Sequence, residues 1–122
     1  MVKGIGVDIV DVRRIKGLFE KWGEKFLDKV FSKGEREALQ REKGVERLAG
    51  RFAAKEAFLK ALGKGMFQIP LKEIEIIRGG KGEPRIVLSG NTAKLCEGLK
   101  VHVSISHEGN YAIAFVVLED QA

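Results

Sequence analysis

Three features of the sequence predict an α+β fold: an N-terminal segment with strand periodicity, a run of helical spacing from residue 12 to residue 62, and a second half that reads as two antiparallel strand pairs. The chain has 122 residues, of which 44% are hydrophobic, enough for one packed core and too short for a second domain of ordinary size. One domain spanning residues 1–122 is therefore expected.

In Gly4 to Asp11, Ile5, Val7 and Ile9 alternate with Gly6, Asp8 and Val10, the period of a strand. The period then changes. Val12, Ile15, Leu18 and Phe19 fall at helical spacing behind Asp11, which is placed to cap a helix over about residues 12–21. A short helical turn is expected around Glu24 to Val30. Ser32 followed by Glu35 is a capping-box pattern that starts a helix at Lys33, running to about Arg41. The helix from Val45 to Leu62 is apolar nearly all round, with Leu48, Phe52, Leu59 and Leu62 on one stripe and Ala53, Ala54, Ala57 and Ala61 on the opposite side. Such a helix must be covered on most sides, and Gly63 is placed to end it.

Beyond it, Glu73 to Arg78 and Arg85 to Leu88 flank a glycine-rich connection and predict a hairpin. Asn91 to Gly98 reads as a short helix. Val101 to Ser106 alternates strictly, Tyr111 to Glu119 is β-prone throughout, and His107 to Asn110 is the expected turn between them.

Composition excludes several function classes. A single cysteine, Cys96, cannot form an intrachain disulfide, and two histidines are too few for a zinc cluster, which fits a reducing, cytoplasmic compartment. The longest apolar run, Ala112 to Leu118, is far below the ~20 residues that span a bilayer, and the N-terminus lacks a signal-peptide pattern. Walker-type and GxSxG motifs are absent. The net charge of +5 favours an anionic partner without choosing among nucleic acid, phosphorylated small molecules and an acidic protein.

Charges in apolar surroundings are more specific. Asp8 lies within a strand among Val7, Ile9 and Val10, and Glu56 borders the apolar stripe of the long helix. A buried carboxylate without a partner is costly or becomes protonated, so both need a cation. Glu56 could pair with Lys60 at i,i+4 and Asp8 with some basic residue of the fold; alternatively both converge on one hard divalent cation. Arg51, Lys55 and Lys60 add three cations to the same helix, where snorkelling stems or a polyphosphate ligand would account for them. His107 at a strand end reads either as a turn residue or as a phosphate donor. Ser104 and Ser106 share the face of His102 and read as exposed strand positions, and Trp22 reads as core or boundary packing, with a partner anchor as the alternative.

GIGVDIVDVRRI at positions 4–15, RFAAKEAFLKALGKG at 51–65 and SISHEGNYAIA at 104–114 together resemble the three signature segments of the holo-acyl-carrier-protein synthases, the short bacterial 4′-phosphopantetheinyl transferases. The resemblance runs to about Glu119 and implies the 4′-phosphopantetheinyl transferase fold. It also implies transfer of the phosphopantetheine arm of coenzyme A to a serine of apo-acyl carrier protein, in support of fatty acid biosynthesis. By the same motifs Asp8 and Glu56 are implied as magnesium ligands, and Lys60 as the lysine facing the pyrophosphate. Lys55 falls on a further basic position, and His107 beside the coenzyme A phosphates. The serine oxygen would attack the β-phosphate, with Glu56 as proton acceptor, directly or through a water, and Lys55 as the alternative base.

Arg51 and Lys64 are further expected contacts of the coenzyme; Lys64-Gly65 departs from the Thr-Gly usual in the family, so no threonine hydroxyl contact carries over. Arg13, Arg14 and Lys21 on the first helix are expected to dock the acidic carrier protein. The family resemblance implies a homotrimer with the active site between subunits, and the apolar link Met66 to Pro70 reads as a subunit contact. Two rivals are a small nucleic-acid-binding module and a silent scaffold for a carrier protein. The first is disfavoured because the long helix has no polar face for a groove, the second because Asp8, Glu56 and Lys60 are all present.

Overall fold

The computed structural model describes residues 1–41, 44–65 and 68–121. In chain order the elements are β1 (Val2–Asp11), α1 (Val12–Trp22), α2 (Glu24–Val30), α3 (Lys33–Arg41) and α4 (Val45–Leu62). A 3-10 turn at Leu71–Glu73 precedes β2 (Ile74–Arg78), β3 (Pro84–Leu88), α5 (Gly90–Leu95), β4 (Leu99–Glu108) and β5 (Tyr111–Asp120). The model is α+β, as expected, with two antiparallel sheets: one ordered β1-β5-β4, the other the β2–β3 hairpin.

Local chemistry accounts for the boundaries. Asp11 caps α1 by accepting from the Arg13 amide at 2.9 Å. The capping box at α3 is complete, because the Glu35 amide donates to Ser32 Oγ and the Ser32 amide to Glu35 Oε1, both at 3.1 Å. Gly63 ends α4 in the left-handed region at φ 72°, where a side chain would be strained. The connection between β4 and β5 is tighter than the sequence suggests. His107 and Glu108 continue the ladder opposite Ala112 and Tyr111, leaving only Gly109 and Asn110 for the turn.

Helix α4 lies across one face of the β1-β5-β4 sheet at backbone distance. A Cβ on Gly4 would stand 2.1 Å from the Ala61 carbonyl oxygen, and one on Gly6 only 1.9 Å from that of Ala57. Ala112, Ala114, Val116 and Leu118 of β5 are buried on the same face, and Ala53, Ala54 and Ala57 of α4 are fully covered. The alanines read as an opposite side of the helix are thus its sheet-facing side. Helix α4 is buried nearly all round, which leaves no polar face for a nucleic-acid groove.

The other face of the sheet is open. Ile5, Val7, Ile9, Ile113 and Phe115 stand between 41% and 62% exposed, forming one apolar patch across β1 and β5, with His102, Ser104 and Ser106 of β4 beside it. Of the Met66 to Pro70 link, Met66 and Phe67 lie outside the described residues, while Ile69 is buried against this chain's own core.

The close approach gives a direct test by unfolding. Gly6→Val should destabilise the chain by about 3 kcal/mol, at the upper end of overpacking costs, because the obstructing atoms are backbone. Gly17→Ala in α1, where no atom lies within 4 Å, should stabilise it by up to about 1 kcal/mol. Equal midpoints in urea for the two variants would contradict the packing described.

Candidate active site

Two groups of charged side chains flank α4. Asp8 follows Gly4 and Gly6 on the helix-facing side of β1, and its side chain is 17% exposed. The Lys60 ammonium donates to Asp8 Oδ1 and to the Val7 carbonyl, both at 3.1 Å. One turn earlier on α4, half-buried Glu56 is near enough to Asp8 for the two charges to oppose each other. Burial, and then the Asp8 charge, push the Glu56 carboxyl above the usual glutamate range, with Lys60 and Arg14 acting in the other direction. Among the described residues no side chain donates a hydrogen bond to Glu56. Lys60 therefore serves Asp8, not Glu56 as the i,i+4 alternative would have it.

Two opposed carboxylates with oxygen donors only, one of them unbonded, suit a hard divalent cation such as magnesium. Among the described residues no third aspartate, glutamate, histidine or cysteine joins them. The remaining positions around such an ion would fall to water and to phosphate oxygens.

The second group lines a cleft of about 240 Å³ between the first half of α4, the β2–β3 hairpin and the end of β4. Arg47, Arg51 and Arg78 give it a cationic wall beside His107, and Gly82 of the hairpin loop and Pro84 of β3 line it as well. Arg51, buried, sends its Nε toward the Ile76 carbonyl at 3.5 Å. The imidazole Nε2 of His107 lies 3.1 Å from the Glu46 carbonyl oxygen and packs on Gly50, where a Cβ would meet it at 3.0 Å. The structure thus brings Arg51 and His107 together, and adds Arg47 and Arg78, which sequence reasoning missed. The available signal was the i,i+4 spacing of Arg47 and Arg51, together with an arginine directly before Gly79-Gly80.

Lys55 is in neither group. Its ammonium is fully buried and donates to Glu35 Oε1 at 2.6 Å, the Leu71 carbonyl at 2.8 Å and the Ile74 carbonyl at 2.5 Å. Burial pulls its pKa below the usual lysine value, with Glu35 opposing that shift. All three protons are engaged away from Asp8 and Glu56, so the structure does not bring Lys55 together with the other expected catalytic side chains. Arg51, Lys55 and Lys60 thus turn to three different partners, the Ile76 carbonyl, Glu35 and Asp8.

On α1, Arg13 is held by Asp11 in a two-pronged ion pair. Arg14 is exposed, 6.0 Å from the Phe52 ring centre and within electrostatic reach of Glu56. Lys21 stands over the exposed Trp22 ring at 5.2 Å. Leu18, Trp22, Lys25, Phe26 and Lys29 line an adjoining groove, which places Trp22 half-exposed at the boundary. Lys64 is exposed just past the end of α4. Among the described residues no helix is long and apolar enough to cross a membrane.

The family model of the 4′-phosphopantetheinyl transferase superfamily matches residues 4–116. Relatives named holo-[acyl-carrier-protein] synthase include those of Halothermothrix orenii, 48% identical with 98% of this chain and 99% of the relative aligned, and Clostridium kluyveri, 46% identical with 98% and 91% aligned. A synthase structure from Neisseria meningitidis superposes with a TM-score of 0.92 at 37% identity, covering 98% of this chain and all of that one. The Bacillus anthracis synthase in complex with CoA (3′,5′-ADP) superposes at 0.85 and 36% identity, covering 99% of each chain. The chain belongs to the holo-[acyl-carrier-protein] synthase family.

The Glu56 shift has a sign that can be measured in chelator. Its folded-state pKa lies above its unfolded value, so its contribution to stability is full below the ordinary glutamate value and is lost as pH rises through the raised one. Glu56→Gln escapes that loss. The variant should melt above the parent near neutral pH, with the gap closing in acid; a gap independent of pH would contradict the opposed-carboxylate arrangement.

Proposed function

We propose that this chain transfers the 4′-phosphopantetheine group of coenzyme A to a serine of apo-acyl carrier protein, releasing adenosine 3′,5′-bisphosphate. The observation that carries this reading is the facing of Asp8 and Glu56 beside Lys60, in a chain of this family with a cationic cleft on the same helix.

Asp8 and Glu56 would hold magnesium, which when bound neutralises phosphate oxygens and polarises the phosphorus toward attack. Arg51 and His107, joined by Arg47 and Arg78, hold the phosphorylated adenosine end of the coenzyme. Lys60 is exposed enough to leave Asp8 and stabilise charge on the leaving phosphate, and exposed Lys64 lies near the same end of α4. Glu56 takes the serine proton, a role that a raised carboxyl pKa favours. The carrier docks on α1 through Arg13, Arg14 and Lys21, with the Trp22 groove receiving apolar side chains. Arg14, on α1 and within electrostatic reach of Glu56, sits where the incoming serine would have to arrive. A cytoplasmic setting agrees with a single free, buried cysteine.

The assembly we infer is a homotrimer with shared sites. Glu56 lies five residues beyond Arg51 on α4, which turns the two side chains about 140° apart around the helix. One extended ligand is served by both groups more easily if each comes from a different subunit. The exposed apolar face of β1 and β5 supplies the surface for self-association.

Incubation with coenzyme A, magnesium and an apo-carrier protein should add the mass of one phosphopantetheine to the carrier, and chelator should abolish the gain. No gain with magnesium and coenzyme in excess would overturn the assignment. For the assembly, sedimentation should give a trimer. Mixing separately inactive Glu56→Gln and Arg51→Ala chains under exchange conditions should restore part of the activity, whereas a monomer, or no recovery after confirmed exchange, would contradict shared sites.

A further inference from the structure

The β2–β3 hairpin forms one wall of the arginine cleft, yet neither of its strands belongs to the larger sheet. Its tie to the helices is polar and buried. Lys55 of α4 holds the carbonyls of Leu71 and Ile74, at the entry to β2. Glu35 of α3 accepts from the Ile76 amide at 3.1 Å while it binds Lys55. One residue pair thus joins α3, α4, the 3-10 turn and β2, and the residue it grips, Ile76, lines the cleft and offers its carbonyl to Arg51.

The geometry points to Glu35 and Lys55 as positioning residues for coenzyme binding: together they set the separation between the hairpin wall and the α4 wall of the cleft. A buried ion pair adds little net stability over an apolar substitute, but its directional bonds define one arrangement among near-equal ones. Glu35 and Lys55 are both almost fully enclosed, 1% and 0% exposed, so they reach the cleft through the residues they hold, Ile76 of the hairpin above all. The inference rests on the reading that the arginine cleft receives the adenosine end of coenzyme A.

The test compares Glu35→Gln, which keeps the length and loses the charge, and Glu35→Asp, which keeps the charge but shortens the reach. Leu118→Ala, in the larger sheet, serves as a destabilised control away from the cleft. Each is assayed at a temperature where circular dichroism shows it folded. Calorimetry on the parent protein first establishes binding of coenzyme A; if the parent does not bind, the reading of the cleft fails and the inference with it. If it binds, the folded Glu35 variants should raise Kd and KM for coenzyme A about tenfold with kcat within about twofold, and should speed hydrogen exchange at the Ile76 amide. Leu118→Ala should leave Kd in place. An unchanged Kd in either folded Glu35 variant, a fall in kcat alone, or an equal rise in Leu118→Ala would overturn the positioning role while leaving the reading of the cleft intact.

Discussion

The closeness of α4 to β1 is the constraint on which the remaining arrangement depends. Gly4 and Gly6 present bare backbone to the carbonyls of Ala57 and Ala61, and the next residue on the same side of the strand is Asp8. A helix held at ordinary side-chain distance would leave Asp8 out of reach of Glu56 and Lys60. Small residues here trade buried area for proximity, and the chain recovers burial through Phe52, Phe58 and Leu59, which cover other sides of α4. Packing and site geometry are one feature, since the glycines that permit the contact also aim the carboxylate.

From that contact the helix distributes its charges by angle. Residues 51, 55, 56 and 60 point toward different neighbours: the hairpin, the buried Glu35, the space before Asp8, and Asp8 itself. Glu56 and Lys60 both come to Asp8. The Lys60 ammonium sits on Asp8, so the helix brings a counter-charge to the carboxylates.

The elements were legible in the sequence because their signals are local. Strand alternation in β1 and β4, the Ser32–Glu35 capping box and the terminal Gly63 each report on neighbours a few residues away. Asp8 and Glu56 were legible for a different reason: a carboxylate among apolar residues demands a partner wherever the fold supplies it. Lys55 shows the limit of that logic. It made the same demand, and its partner was the capping-box glutamate 20 residues earlier, whose second role no local pattern discloses. Arg78 carried only a weak signal, its place before Gly79-Gly80, because it is the fold of the hairpin that brings it to Arg47 and Arg51.

The outer margin of β2 has a consequence for the exposed backbone of the hairpin. A two-stranded ribbon ordinarily leaves an unpaired backbone edge that can recruit foreign strands and seed aggregates. Here Ile74 and Ile76 spend those edge groups on Lys55, Glu35 and Arg51, so helical side chains stand where a third strand would add. With that edge occupied, β2 cannot extend its ribbon by pairing with a strand of another chain.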